Sequence, residues 1–235
     1  MDGRGKAALA ESGFIDPLLK AGLAVFAIDL RGRGETLGHI RPRFDTNFRL
    51  VANQVLMGQP LAGRRAFDLI RAVDYIGLRP EVTIDGVTVV GLGDDALPIL
   101  LAAAYDPRIG RVAVSKYFRS FISQMAARPA TRVTLPMQWN DPQLNGIINT
   151  GDYDIDFGSV IPGVLQVMDV PDLLHLIAPR KLLFCAPRDL SAAGFETLPA
   201  RFNEVAGPDG EKWMRYEPEH PLDAKLLLER IGLKP

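Results

Sequence analysis

The chain has one cysteine, Cys185, in 235 residues. A single thiol cannot close an internal disulfide, and it excludes all-cysteine zinc sites. Histidine is nearly as scarce, with only His39, His175 and His220. Neither of the first two has a metal-ligand neighbour at a useful spacing, so no metal and no cofactor is expected. Charge of one sign is also lacking: 27 Lys and Arg stand against 28 Asp and Glu, for a formal net charge of −1. No basic stripe marks a nucleic-acid partner. Apolar runs fall far short of the ~20 residues that a membrane helix needs, so no membrane partner is expected. A charged-then-apolar signal segment is absent from the first residues, which implies a cytoplasmic location if Met1 is the true start. The acids of Asp152-Tyr153-Asp154-Ile155-Asp156 alternate, but an EF-hand's glycine and terminal glutamate are missing, so a solvated loop is expected there.

What is present is apolar and periodic. Hydrophobic residues make up 47% of the chain, enough for the two-sided core of one α/β domain spanning residues 1–235. Leu23–Asp29 is a continuous apolar run of the kind found in strands covered on both faces. Helices are expected over Ala7–Lys20, Arg64–Leu78, Ala96–Tyr105, Glu196–Val205 and Pro221–Ile231. Further strands are expected at Val87–Gly91, Arg111–Ser115, Lys181–Ala186 and Glu211–Tyr216. Residues from about 30 to 59 read as irregular. Prolines at 129, 136, 142, 162 and 171 break the stretch 116–179, which reads as an irregular insertion with short helices. Strands alternating with helices imply a parallel sheet with helices on both faces. Cys185 reads as a small core residue of its strand, and His175 as a half-buried helix position.

One turn carries the chemistry. Val87–Gly91 runs into Leu92-Gly93-Asp94-Asp95, and the apolar helix Ala96–Tyr105 follows before Asp106-Pro107-Arg108 stops it. Strand, tight turn and helix form the layout of the nucleophile elbow, G-x-S-x-G. Here it reads Gly91, Leu92, Gly93, Asp94, Asp95. Gly93 stands at the nucleophile position and cannot attack. Asp94 is the rival nucleophile, yet as the centre of a shifted turn it would have Leu92 where a small residue is needed. Asp94 and Asp95 fit better as residues that cap the helix start and meet its dipole. A carboxylate just after the nucleophile position would also repel an oxyanion. The same acids argue against a pyrophosphate at Gly91-Leu92-Gly93.

Hydrolysis by a triad needs an acid and a base, in the chain order nucleophile, acid, histidine. Asp189 follows the strand Lys181–Ala186, and His220 follows Glu211–Tyr216. Both belong at the carboxyl ends of parallel strands, where open α/β sheets place ligands. The glycine loop Asp2-Gly3-Arg4-Gly5-Lys6 precedes a helix, and its Gly3 and Arg4 are candidates for an oxyanion or anion contact.

Several pieces in order resemble one branch of the α/β-hydrolases, the acetyl xylan esterase and cephalosporin-deacetylase-like enzymes. Asp29-Leu30-Arg31-Gly32-Arg33-Gly34-Glu35 resembles their D-x-R-G-x-G turn. Gly63–Asp68 and Ala72–Tyr75 resemble the helix before their elbow strand, Ala102–Ile109 the end of the helix after it, and Ile177–Leu183 the entry to the acid-bearing strand. The resemblance implies an α/β-hydrolase fold in which Gly93 takes the nucleophile's place, Asp189 the acid's and His220 the base's. It also implies strands ahead of this chain's first one, which are missing here. Without them the strands around Val25 and Val89 must pair directly, gape, or borrow a strand. The expected role is a domain without serine-hydrolase activity that acts as a scaffold or interaction domain. Its partners would be a second hydrolase domain or a copy of itself, with an acylated carbohydrate as the candidate ligand. The alternative is a carboxylic ester hydrolase, deacetylating such carbohydrates through another nucleophile.

Overall fold

The computed structural model describes residues 1, 5–37, 46–80, 82, 86–122, 157–188, 200–205, 208 and 212–232. Among them four strands pair in parallel, in the order β1 (Val87–Leu92), β2 (Ile109–Ser115), β3 (Lys181–Cys185), β4 (Met214–Glu217). Strand order follows chain order, so each connection crosses over once and steps one place along the sheet. Side chains of a strand alternate between faces, and here both faces are apolar. Val112 and Val114 of β2, with Leu182 and Phe184 of β3, face one core cluster. Ala113, Leu183 and Cys185 face the other. This two-sided burial is the physical reason that the strands read as unbroken apolar runs.

On the larger face lie α4 (Leu61–Gly77), α5 (Ala96–Tyr105), α6 (Val170–Ile177) and α7 (Ala200–Val205). Seven of the ten residues of α5 are buried, as expected of a helix that is apolar all round. It stops at Asp106, whose carboxylate accepts from the Arg108 backbone N–H at 3.0 Å and its guanidinium at 2.6 Å. Helix α6 opens with Asp169 as N-cap, in a reciprocal box with Asp172. Asp169 also accepts from Ser120 Oγ and the Phe121 N–H, both at 2.6 Å, so this cap ties the chain after β2 to α6. On the smaller face lie α2 (Ile15–Lys20) and α8 (Ala224–Ile231), which contribute Leu18, Leu227 and Ile231. Asp223 caps α8 through the Leu226 N–H at 2.7 Å.

The structure has the α/β architecture that the alternating pattern implies, with four corrections of detail. The expected helix Ala7–Lys20 is two helices, α1 (Lys6–Glu11) and α2, because Gly13 turns the chain with φ +75°. The stretch read as irregular contains α3 (Thr46–Leu56), in which Val51 is buried. Leu23–Asp29 is extended but joins no ladder among the described residues, and alternate positions in it stay open to solvent. His175 is exposed rather than half-buried, in the last turn of α6. Of the stretch 116–179, residues 116–122 and 157–179 are described and include α6, a full member of the core. The acidic run at 152–156 and His39 lie outside the described residues.

Cys185 is the buried core residue that its strand pattern implies. Loss of hydration, then Glu217 and Asp223, push its thiol up to about 12, so it carries almost no thiolate at pH 8. Native protein at pH 8 should therefore resist iodoacetamide, and alkylation should appear only as urea unfolds the chain. Phe184 is fully buried, with its ring edge-on to Phe202 at 5.1 Å. Phe184→Ala should cost about 3–5 kcal/mol, read as a lower urea midpoint by circular dichroism.

Candidate functional site

Three adjacent strands end in the left-handed backbone region. After β1 comes Gly93 with φ +63°, after β2 Lys116 with φ +58°, and after β3 Ala186 with φ +39°. Two of these carry a Cβ, which makes the conformation costly, and such strain concentrates at functional rims. The rim is cross-tied: the Lys116 N–H donates to the Cys185 carbonyl at 3.2 Å, and the Ala186 N–H to the Glu217 carbonyl at 2.9 Å. Ser115 Oγ accepts from the Leu222 N–H at 3.2 Å, which anchors the loop after β4 onto the end of β2. In an open parallel sheet this is the end at which ligands bind.

The turn after β1 is set by packing. A Cβ on Gly91 would stand 2.5 Å from Ile99 Cδ1, 3.0 Å from Ala96 Cα and 3.1 Å from the Asp95 carbonyl. Only glycine lets α5 fold back this closely onto β1. Gly93 then takes the positive φ, a short 3₁₀ turn covers Gly93–Asp95, and α5 begins.

Asp95 stands at the N-cap of α5 but does not cap it as expected, because its side chain makes no capping hydrogen bond. Arginines pair with both Asp94 and Asp95. Asp95, almost fully buried, meets Arg33 Nε at 3.3 Å. Asp94 meets Arg188 Nη1 at 2.9 Å. The Arg188 guanidinium lies over the Phe118 ring at 5.8 Å, and its backbone N–H donates to the Tyr117 carbonyl at 3.1 Å. Its other terminal nitrogen, Nη2, stands 3.2 Å from the point where a Cβ on Gly93 would be. The space beside Gly93 therefore holds a guanidinium.

The turn Asp29–Glu35 builds the neighbouring wall. The Asp29 carboxylate accepts from the Lys6 N–H at 2.6 Å and the Glu35 N–H at 3.0 Å, which joins the first helix to this turn. Arg31 pairs with Asp68 of α4 through two nitrogens. Arg65, fully buried, donates to the Arg31 carbonyl at 3.0 Å. Through Arg33 the same turn reaches Asp95 at the start of α5.

His220 lies on the loop after β4, with 70% of its side chain exposed. Its Nδ1 is 3.8 Å from Glu217 Oε2, and Glu217 also pairs with Arg230 at 2.9 Å. Asp189, Gly3 and Arg4 lie outside the described residues. The geometry thus joins Gly93 and Asp94 with Arg188, and carries His220 on the loop tied to β2. Sequence reasoning missed Arg188, although it is the residue just before the candidate acid. It also missed Arg33, which the D-x-R-G-x-G stretch contains in plain view.

A four-stranded parallel sheet with helices on both faces and a turn–helix after its edge strand defines an α/β-hydrolase-like fold. Among solved structures, the chain is similar to a Bacteroides fragilis protein provisionally assigned as an acetyl xylan esterase. The two share a TM-score of 0.58 at 17% sequence identity. The match covers 86% of this chain and 48% of that one, so the chain spans about half the length of the structure it matches. No protein-family model matches the chain, and no curated protein matches it in sequence.

Gly91→Ala should lower stability by about 1–3 kcal/mol, because the backbone of Ala96 and Asp95 cannot give way as a side chain can. Chemical denaturation of the variant against the parent checks this.

Proposed function

We propose that this chain is an α/β-hydrolase-like domain whose elbow has lost serine-hydrolase activity, and that it serves as a scaffold or interaction domain. The observation that carries the reading is the Arg188 nitrogen 3.2 Å from the missing Cβ of Gly93. Triad chemistry needs a nucleophile at that point with a general base in reach. Here the position offers a hydrogen atom, and the adjacent space holds a cation already paired with Asp94. Asp94 is a poor substitute nucleophile in this reading, since its carboxylate is already paired with Arg188. In this reading Asp189 and His220 are the remnant acid and base, and Gly3, Arg4 and Asp94 are the candidates for the old oxyanion contact. The partner is a second hydrolase-like domain or a copy of this chain.

A second reading has one observation in its favour, the likeness to a solved acetyl xylan esterase-like protein. It makes the chain a carboxylic ester hydrolase acting on acylated carbohydrates through a nucleophile other than serine. A positioned base contributes about 10²–10⁴-fold to such a reaction. Hydrolysis of an activated acetate ester should therefore be indistinguishable between the parent and His220→Ala. A drop of about 100-fold on His220→Ala would overturn the non-catalytic reading. Gly93→Ser alone should not label with a fluorophosphonate, because Arg188 stands against the new side chain. Labelling of that single variant would show an intact pocket.

A further inference from the structure

Helix α4 buries one side and leaves a patterned stripe on the other. Its buried residues, among them Ala62, Ala66, Leu69 and Val73, belong to the larger core. At about 100° per residue, Phe67, Arg71, Asp74 and Leu78 fall within about 60° of one another, on the side of the helix turned away from that core. Two of the four are large apolar residues open to solvent: Phe67 is 47% exposed and Leu78 82%. The Arg71 guanidinium lies over the Phe67 ring at 5.0 Å and pairs with Asp74 at 2.7 Å. Arg108, ahead of β2, also pairs with Asp74 at 2.7 Å. Phenylalanine and arginine are side-chain types that are enriched in protein interfaces.

The spacing of the stripe says more than its composition. The steps from Phe67 to Leu78 are four, three and four residues. Apolar residues stand at both ends, and opposite charges at the two inner positions. A two-fold axis across the helix, between Arg71 and Asp74, therefore sets Phe67 against the partner's Leu78 and Arg71 against the partner's Asp74. Each contact then occurs twice, as an isologous interface requires. Steps of three and four are also those by which helices pack at a shallow crossing angle. A partner stripe carrying one sign of charge would set a like charge against either Arg71 or Asp74. A second copy of this stripe, running antiparallel, sets no like charges against each other.

We propose that the chain pairs with a second copy of itself through the outer stripe of α4, the two helices antiparallel. The proposal rests on the interaction-domain reading above, and it names the surface and the partner. Arg71 and Asp74 keep the contact that they make within one chain and gain a second across the axis, so the four charges close into a square. A stripe of four residues is far smaller than the about 20–30 residues a side of a standard interface, so association depends on concentration.

Sedimentation velocity of the full chain, from about 10 μM to about 1 mM, tests it. The parent should pass from monomer to dimer across this range. Arg71→Asp sets carboxylates against each other across the axis, and Asp74→Arg does the same with guanidiniums. Each variant alone should dimerise about tenfold or more weakly. An equimolar mixture of the two should recover the dimer, because every pair across the axis is again opposite in charge. The chain carrying both substitutions should recover it too. Damage to α4 cannot produce recovery on mixing, so the mixture separates the contact from a structural effect. Leu78→Ser removes an end contact at an exposed position and should weaken the dimer about tenfold. A parent that stays monomeric across the range would overturn the proposal. So would single variants that dimerise like the parent, or a mixture that associates no better than its components. Dimerisation indifferent to all three residues would sink this surface while leaving the interaction-domain reading intact. That reading fails separately, by ester hydrolysis that is lost on His220→Ala.

Discussion

An ion pair beside a glycine links two neighbouring elements at the carboxyl end of the sheet. Arg188 reaches from the end of β3 to Asp94 at the start of α5, and its Nη2 stands 3.2 Å from where a Cβ on Gly93 would be. The pair is partly exposed, at 30% and 23%, so it contributes on the order of 1 kcal/mol or less to stability. Its weight is steric and electrostatic instead. It places positive charge beside Gly93, paired with Asp94. The Phe118 ring lies under the guanidinium, and the bond from the Arg188 backbone N–H to the Tyr117 carbonyl fixes the main chain there.

A second set of charges holds the wall on which that site leans. Asp29 binds the start of α1 to the turn at Glu35, Arg31 binds the turn to α4, and Arg33 binds it to Asp95. The last of these is the most buried, with side-chain exposures of 10% and 2%. A buried pair of this kind is not worth much against an apolar alternative, but breaking it strands a charge. The consequence is directional: the D-x-R-G-x-G stretch fixes the carboxyl end of Leu23–Ile28 to the helices, although its main chain joins no ladder among the described residues.

Much of this architecture was legible in the sequence. The four laddered strands and helices α4, α5 and α8 follow from apolar runs and from periodicity, because two-sided burial leaves an unambiguous mark. Leu23–Asp29 shows the same mark, and its misreading is instructive. Hydrophobic pattern reports which side chains are to be buried, not whether the backbone finds a partner. The stop between α1 and α2 was hidden because one glycine within a helical pattern is often tolerated, and only its positive φ reveals the break. Asp94 and Asp95 read locally as caps, and local reasoning cannot see arginines arriving from 62 and 94 residues away. Long-range ion pairs leave no periodic trace, which is why Arg188 went unnoticed next to a residue that drew attention for its chemistry.

The persistence of the strand–turn–helix around Gly93 does not by itself argue for catalysis. Gly91 is needed because α5 lies against β1 at backbone contact distance, with Ala96 Cα and the Asp95 carbonyl about where a Cβ would go. Helix α5 is in turn the most buried helix of the larger core, flanked by α4 and α6. Any change that opened the turn would have to move α5, and with it the packing of both neighbours. Packing thus preserves the turn whatever stands at position 93. Glycine there costs nothing in packing, takes the positive φ without strain, and leaves room for the Arg188 guanidinium. The turn is therefore stable with no side chain at position 93.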